Sequence, residues 1–255
     1  MKKVKDWLAK VNDRLDGVDW PRVSRWLGAA LFLWVVIALG WTFNRIIPNE
    51  HLPWRPLDPE RPIGMATRGQ ILRLAVSPSN VCMSLVRDID GFETIPSDPK
   101  EAKEPCGWDV ARLVYGSGNA ELLPGEANMQ CPLSVATFLW LREVDAIAQK
   151  QFDQPLAKVH HMGSYSCRRQ RGNGSGRWSE HAFANAWDVA GFELADGTLI
   201  TVLNGWNSED KAVRTFLRDV RHEACRVFNV VLSPDYNAAH RDHFHVDMGP
   251  YSSCR

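Results

Sequence analysis

No cysteine precedes Cys82, and none of the six that follow (82, 106, 131, 167, 225 and 254) stands in a C-x-x-C spacing. That absence argues against a cysteine-ligated metal site. It leaves an even number suited to disulfides in an oxidising compartment, with the pairing open. Net charge is absent too: 30 Lys and Arg balance 30 Asp and Glu, so electrostatics give nucleic-acid binding no support. The glycine-rich basic stretch Gln170 to Trp178 lacks the Lys-Ser/Thr ending of a phosphate cradle. It reads instead as a loop at a substrate rim.

Charge is also missing from Trp26 to Asn44, a run of 19 residues bracketed by Arg25 and Arg45. At about 1.5 Å per residue such a helix just spans a hydrocarbon core of about 30 Å. Trp26 and Trp41 stand where interfacial aromatics belong. No A-x-A-like site follows the run, and it is long and late for a cleaved leader, so an uncleaved anchor is the expected reading. Seven cations against four carboxylates in residues 1–25 predict a cytoplasmic N-terminus. Residues 4–20 carry helical apolar spacing, which suits an interfacial helix or a solvated cap. Pro48, Pro53, Pro56, Pro59 and Pro62 then favour an extended linker; an arm packed on the domain through Trp54 is the competing reading.

What is present is one concentrated set of reactive groups: Ser179-Glu180-His181-(x6)-Asp188, and later His240-x-Asp242-His243-x-His245. Two imidazoles and a carboxylate form the ligand set of a catalytic zinc, with the fourth tetrahedral position left for water. On a helix, His181 and Asp188 would sit about 10 Å apart along the axis, so the pair argues for a loop running into a strand. Positions 243 and 245 share one face of a strand, with Cα atoms about 6.5–7 Å apart. One of them can bind the metal while the other faces substrate or bound water. Asp242, His240 and Asp247 are candidates to fix tautomers or accept protons.

The patterning predicts helices at Pro132–Phe152 and Ser208–Val227. It predicts strands at 70–76, 110–115, 156–162, 186–194, 198–203 and 243–248, with a turn at Ala195-Asp196-Gly197. The fold class is therefore α+β. Helices pack on a mainly antiparallel sheet carrying a zinc cleft, after one transmembrane helix.

These residues also resemble a known family. The Ser179-x-His181-x6-Asp188 and His243-x-His245 pattern looks like the zinc peptidases of lysostaphin, D-Ala-D-Ala carboxypeptidase and hedgehog type, with a murein endopeptidase-like site. From about residue 72 to 255 the chain resembles the bacterial extensin-like C-terminal domain family. The carrying stretches are Ser164-Tyr165-Ser166-Cys167-Arg168, Ser179-Glu180-His181-Ala182, Phe216-Leu217-Arg218, Leu232 to Asn237, His240 to His245 and Cys254-Arg255. The resemblance implies His181, Asp188 and His245 as zinc ligands. It implies His243, then Asp242, then His240 as proton-transfer candidates, and Arg168, Tyr165 and Ser179 at the substrate. Relatives usually carry Gly three residues after the first ligand, where this chain has Ala184.

The implied activity is hydrolysis of amide bonds in peptidoglycan peptides by a single-pass inner-membrane protein with a periplasmic domain. The alternative is a catalytically weak wall-binding module that keeps the metal site. Expected boundaries are 1–25 (cytoplasmic), 26–45 (transmembrane), 46–66 (linker) and 67–255 (zinc peptidase domain).

Overall fold

The structure, a computed structural model, describes Val4, Lys5, Trp7 and residues 19–101, 105–170 and 175–255. Most of the amphipathic pattern over 4–20 lies outside the described residues, as do positions 171–174 of the glycine-rich loop. The chain divides into two compact units, Met1–Pro48 and Asn49–Arg255.

In the first unit, helix α1 runs Trp20–Ile46 and is long and apolar enough to cross a membrane. It begins before the expected Trp26 because Asp19 caps it, its carboxylate accepting from the Arg22 amide at 3.1 Å. Pro21 at the helix start has no amide proton to leave unsatisfied. The Arg45 guanidinium lies 4.6 Å over the Trp41 ring.

The second unit opens with residues 49–66, which are not an extended spacer. Leu52 is 2% exposed and Ile63 is 6%. Gln70 Nε2 donates to the Asn49 and Leu52 carbonyls at 2.9 and 3.0 Å. Arg142 donates to the Pro59 and Arg61 carbonyls at 2.7 and 2.8 Å, and Arg226 donates to the Ile63 carbonyl. The segment is an arm bound through its backbone oxygens, and its four prolines (53, 56, 59 and 62) bring no amide donors of their own. Trp54 stays 58% exposed and is not what buries it.

Helices α2 (Thr67–Val76) and α3 (Ser79–Arg87) follow. The expected strand at 70–76 is thus a helix. Thr67, Gln70 and Ile71 are its buried residues, a spacing of 3.6 rather than 2.

Then come β1 (Phe92–Ser97), β2 (Lys100–Glu101), β3 (Gly107–Trp108), β4 (Ala111–Ser117), β5 (Ala120–Leu123) and β6 (Ala127–Met129). Helix α4 (Cys131–Phe152), β7 (Leu156–Gly163), β8 (Ala186–Leu194), β9 (Leu199–Thr201) and the short α5 (Val202–Gly205) continue the chain. It closes with α6 (Lys211–Val227), β10 (Val230–Leu232), β11 (Phe244–Asp247) and β12 (Ser253–Cys254). The expected strand 198–203 stops at Thr201, whose hydroxyl accepts from the Asn204 amide and turns the chain into α5. Helix α6 starts later than Ser208 because Asp210 is its cap, accepting from the Ala212 amide at 2.7 Å.

Ten strands form one sheet in the order β1-β4-β5-β7-β8-β11-β10-β12, with β6 beside β4 and β9 beside β8. Among the described residues only β5/β7 and β10/β12 are parallel, so the fold is α+β on a mixed, mainly antiparallel sheet. Trp140 of α4 sits edge-on to Trp187, Phe192 and Phe228. Its indole donates to the Val220 carbonyl of α6 at 2.9 Å. Helices α4 and α6 therefore cover the face of β8 that bears Trp187 and Val189. Asp188, between them, points to the other face.

Disulfides Cys82–Cys131, Cys106–Cys167 and Cys225–Cys254 consume all six cysteines. They tie α3 to α4, the β3 segment to the loop after β7, and α6 to β12.

A candidate metal centre

Three elements bring the reactive groups together. Ser179 caps a 3-10 turn over Glu180–Phe183, its hydroxyl accepting from the His181 amide at 3.4 Å. The turn ends at Ala184 in the left-handed region, with φ of 52°; this is the position where glycine was expected. Strand β8 supplies Asp188 and β11 supplies His245. The two are register partners across an antiparallel ladder, so their side chains leave the sheet on one face as neighbours.

The donor atoms converge. His181 Nε2 lies 3.2 Å from His245 Nδ1 and 3.2 Å from Asp188 Oδ2. His245 Nδ1 lies 2.9 Å from Asp188 Oδ1. His181 is 3% exposed.

Each imidazole is also held from behind. His181 Nδ1 faces the Ser164 carbonyl at 3.2 Å. A carbonyl only accepts, so Nδ1 carries the proton and Nε2 presents a lone pair inward. His245 Nε2 lies 2.9 Å from Asp247 Oδ2, an acceptor that can hold the ring proton and free Nδ1 for an ion. Asp247 is itself oriented by the Gly249 amide, which donates to its Oδ1 at 2.8 Å.

Two inward lone pairs and a carboxylate at this separation repel unless a cation lies among them. A tetrahedral ion bonded at about 2.0–2.1 Å spaces its ligands by about 3.4 Å. Observed separations of 2.9–3.2 Å therefore suit one face of such a site after a small expansion. His181, Asp188 and His245 can hold a metal ion. Without one, a proton takes the place. Burial disfavours charge on His245, but hydrogen bonds to Asp188 and Asp247 outweigh it and carry its pKa up to about 9. Burial likewise opposes ionisation of Asp188, yet hydrogen bonds from His181 and His245 hold its carboxyl below the ordinary range.

The remaining predicted residues divide into two groups. His243 is beside the ligands, with Nε2 at 3.7 Å from Asp188 Oδ1. Its Nδ1 faces Asp242 at 2.9 Å, and that hydrogen bond lowers the Asp242 pKa. The His240 ring lies 5.2 Å from that of His243 and 5.9 Å from that of His245. Burial first, then the neighbouring charge of His243 and His245, lowers its pKa to about 4.

Arg168 is exposed and close enough to act electrostatically on His240. Ser179 and Tyr165 both make contacts within the surrounding scaffold. Ser179 is buried as a cap. Tyr165 packs edge-on to Trp108 at 5.1 Å, beneath the Lys100 ammonium at 5.0 Å. Sequence reasoning missed the Ser164 carbonyl, because any residue supplies one.

A family model described as extensin-like protein C-terminus matches residues 80–255. No curated protein and no solved structure matches the chain.

Proposed function

We propose that this chain, which belongs to the extensin-like protein C-terminus family, is a membrane-anchored zinc peptidase cutting amide bonds in peptidoglycan peptides. We place its site with the zinc peptidases of lysostaphin, D-Ala-D-Ala carboxypeptidase and hedgehog type. The observation that carries this reading is the lone-pair geometry. One donor atom from each of His181, Asp188 and His245 lies within 4.8 Å of the others, and each imidazole has an acceptor behind it that can hold the ring proton away from the centre. The choice of zinc rests on the donor set, two imidazoles and one carboxylate with a position left open.

Bound there, zinc supplies an acidified water and a polarised scissile carbonyl. The chain's own residues do the rest. Asp242 accepts a hydrogen bond from His243 Nδ1, which leaves His243 Nε2 free to take a proton beside Asp188. His240, neutral at ordinary pH because its pKa is held near 4, adds no competing charge. Arg168 offers a planar, permanently charged fork for a substrate carboxylate. The N-terminal helix supports anchoring at the inner membrane, and the cation excess before it favours a cytoplasmic N-terminus. The disulfides agree with an extracytoplasmic domain.

The test is paired variants of the full chain, assayed for bound metal and for digestion of defined muropeptides by mass spectrometry. His245→Ala is expected to lose both metal and activity. His243→Ala is expected to keep the metal and lose about 10²–10⁴-fold in turnover. Loss of metal in His243→Ala would overturn the ligand assignment. Wild-type protein that holds zinc and cuts nothing would favour the wall-binding module.

A further inference from the structure

We infer that Glu180, Asn185 and Gly249 form an interlock that sets the spacing of the two histidine ligands. Glu180 is the positioning residue and Gly249 is the place made for it. This rests on the metal-centre reading above.

His181 and His245 are 64 residues apart, and the cross-strand ladder fixes only the His245–Asp188 half of the site. The turn bearing His181 needs its own tie to β11. Asn185 provides it from both sides. Its amide donates to the Glu180 carbonyl at 3.0 Å, closing the turn, and its carbonyl accepts from the Met248 amide at 3.2 Å. Its side-chain amide donates to Glu180 Oε2 at 2.7 Å.

The Glu180 side chain is thereby aimed at Gly249. A Cβ added at Gly249 would stand 2.8 Å from the Glu180 carboxyl carbon, 2.8 Å from Oε1 and 2.9 Å from Cγ. Glu180 thus occupies the volume a side chain at 249 would need. Pushing it aside strains its hydrogen bond from Asn185. Gly249 also holds Asp247 through its amide, and Asp247 holds His245. Pressure at Gly249 therefore reaches both histidines. Partners that orient metal ligands typically change affinity 10–100-fold when removed.

The experiment titrates zinc alone into the full chain in detergent, against a competing chromogenic chelator. The melting temperature of the chelated protein is recorded alongside. Glu180→Ala and Gly249→Ala are each expected to weaken zinc binding at least tenfold while the chelated melting temperatures stay within a few degrees of wild type. Glu180→Gln, which keeps the shape and an acceptor for Asn185, is expected to stay within threefold of wild type.

The double variant Glu180→Ala/Gly249→Ala is expected to bind no more weakly than the worse single variant, because the clash and the wedge are one contact. Unchanged zinc affinity in Glu180→Ala, or effects that add in the double variant, would overturn the interlock while leaving the metal centre intact. Equal losses in Glu180→Gln and Glu180→Ala would also overturn it. A wild-type chain that takes up no zinc overturns the metal centre itself, and the interlock with it.

Discussion

His161 shows how strictly single residues are specified around this site. It is 9% exposed. Its Nε2 faces the Gly125 carbonyl at 2.8 Å, and its Nδ1 accepts from the Gly163 amide at 3.0 Å. The neutral ring satisfies both contacts, whereas a second proton would set two donors against each other. Burial lowers its pKa, with the Gly125 bond opposing. The unfolded chain therefore binds more protons between the depressed folded value and the ordinary value near 6.5. The stability contributed by neutral His161 is complete above about pH 6.5 and is lost as pH falls toward the folded value. Chemical denaturation of the chelated protein is expected to show this acid slope, at most about 1.4 kcal/mol per pH unit for one proton. His161→Gln is expected to flatten it. Residue identity made the candidate metal-holding group legible: H-x6-D and H-x-H supply its three members, and Asp247 was a visible candidate behind His245. Ala184 has a left-handed φ of 52°, a conformation that glycine adopts at lower cost. The Ser164 carbonyl and the room at Gly249 were not legible, since a backbone oxygen and a missing Cβ have no chemical signature.

Among elements, the proline-rich arm carries the clearest stability forecast. Burying Leu52 and Ile63 contributes about 4 kcal/mol together, before the bonds from Gln70, Arg142 and Arg226. A chain begun at Asn49 is expected to melt about 10 °C above one begun at Thr67, at about 2–4 °C per kcal/mol for a domain of this size. Calorimetry of the two truncations checks it, and equal melting points would mean the arm is loosely held. Long elements with one dominant period, such as α4 and β8, were readable. Helix α2 was misread because Ile71-Leu72 and Leu74 fit alternation as well as a helix over so short a span. The arm was misread because proline spacing reports stiffness and says nothing of which carbonyls a distant arginine will find.

The whole molecule joins an apolar helix to a disulfide-tied domain. The full chain is expected to sediment with membranes and to be released by detergent but not by high salt. The Asn49–Arg255 piece is expected to remain in the supernatant. Release by salt alone would mean the helix does not span the bilayer. The class of the fold was legible because helix and strand patterns alternate without repeats. The parallel pairings β5/β7 and β10/β12 were not, since they join segments distant in sequence. One consequence concerns the order of assembly. His181 and Asp188 are close in sequence, but His245 lies 57 positions beyond Asp188. The third ligand arrives only when β11 docks on β8. A chain still emerging from the ribosome or translocation pore offers an ion two ligands and no cage. An ion held by this group would therefore be taken up only after β11 has folded onto β8.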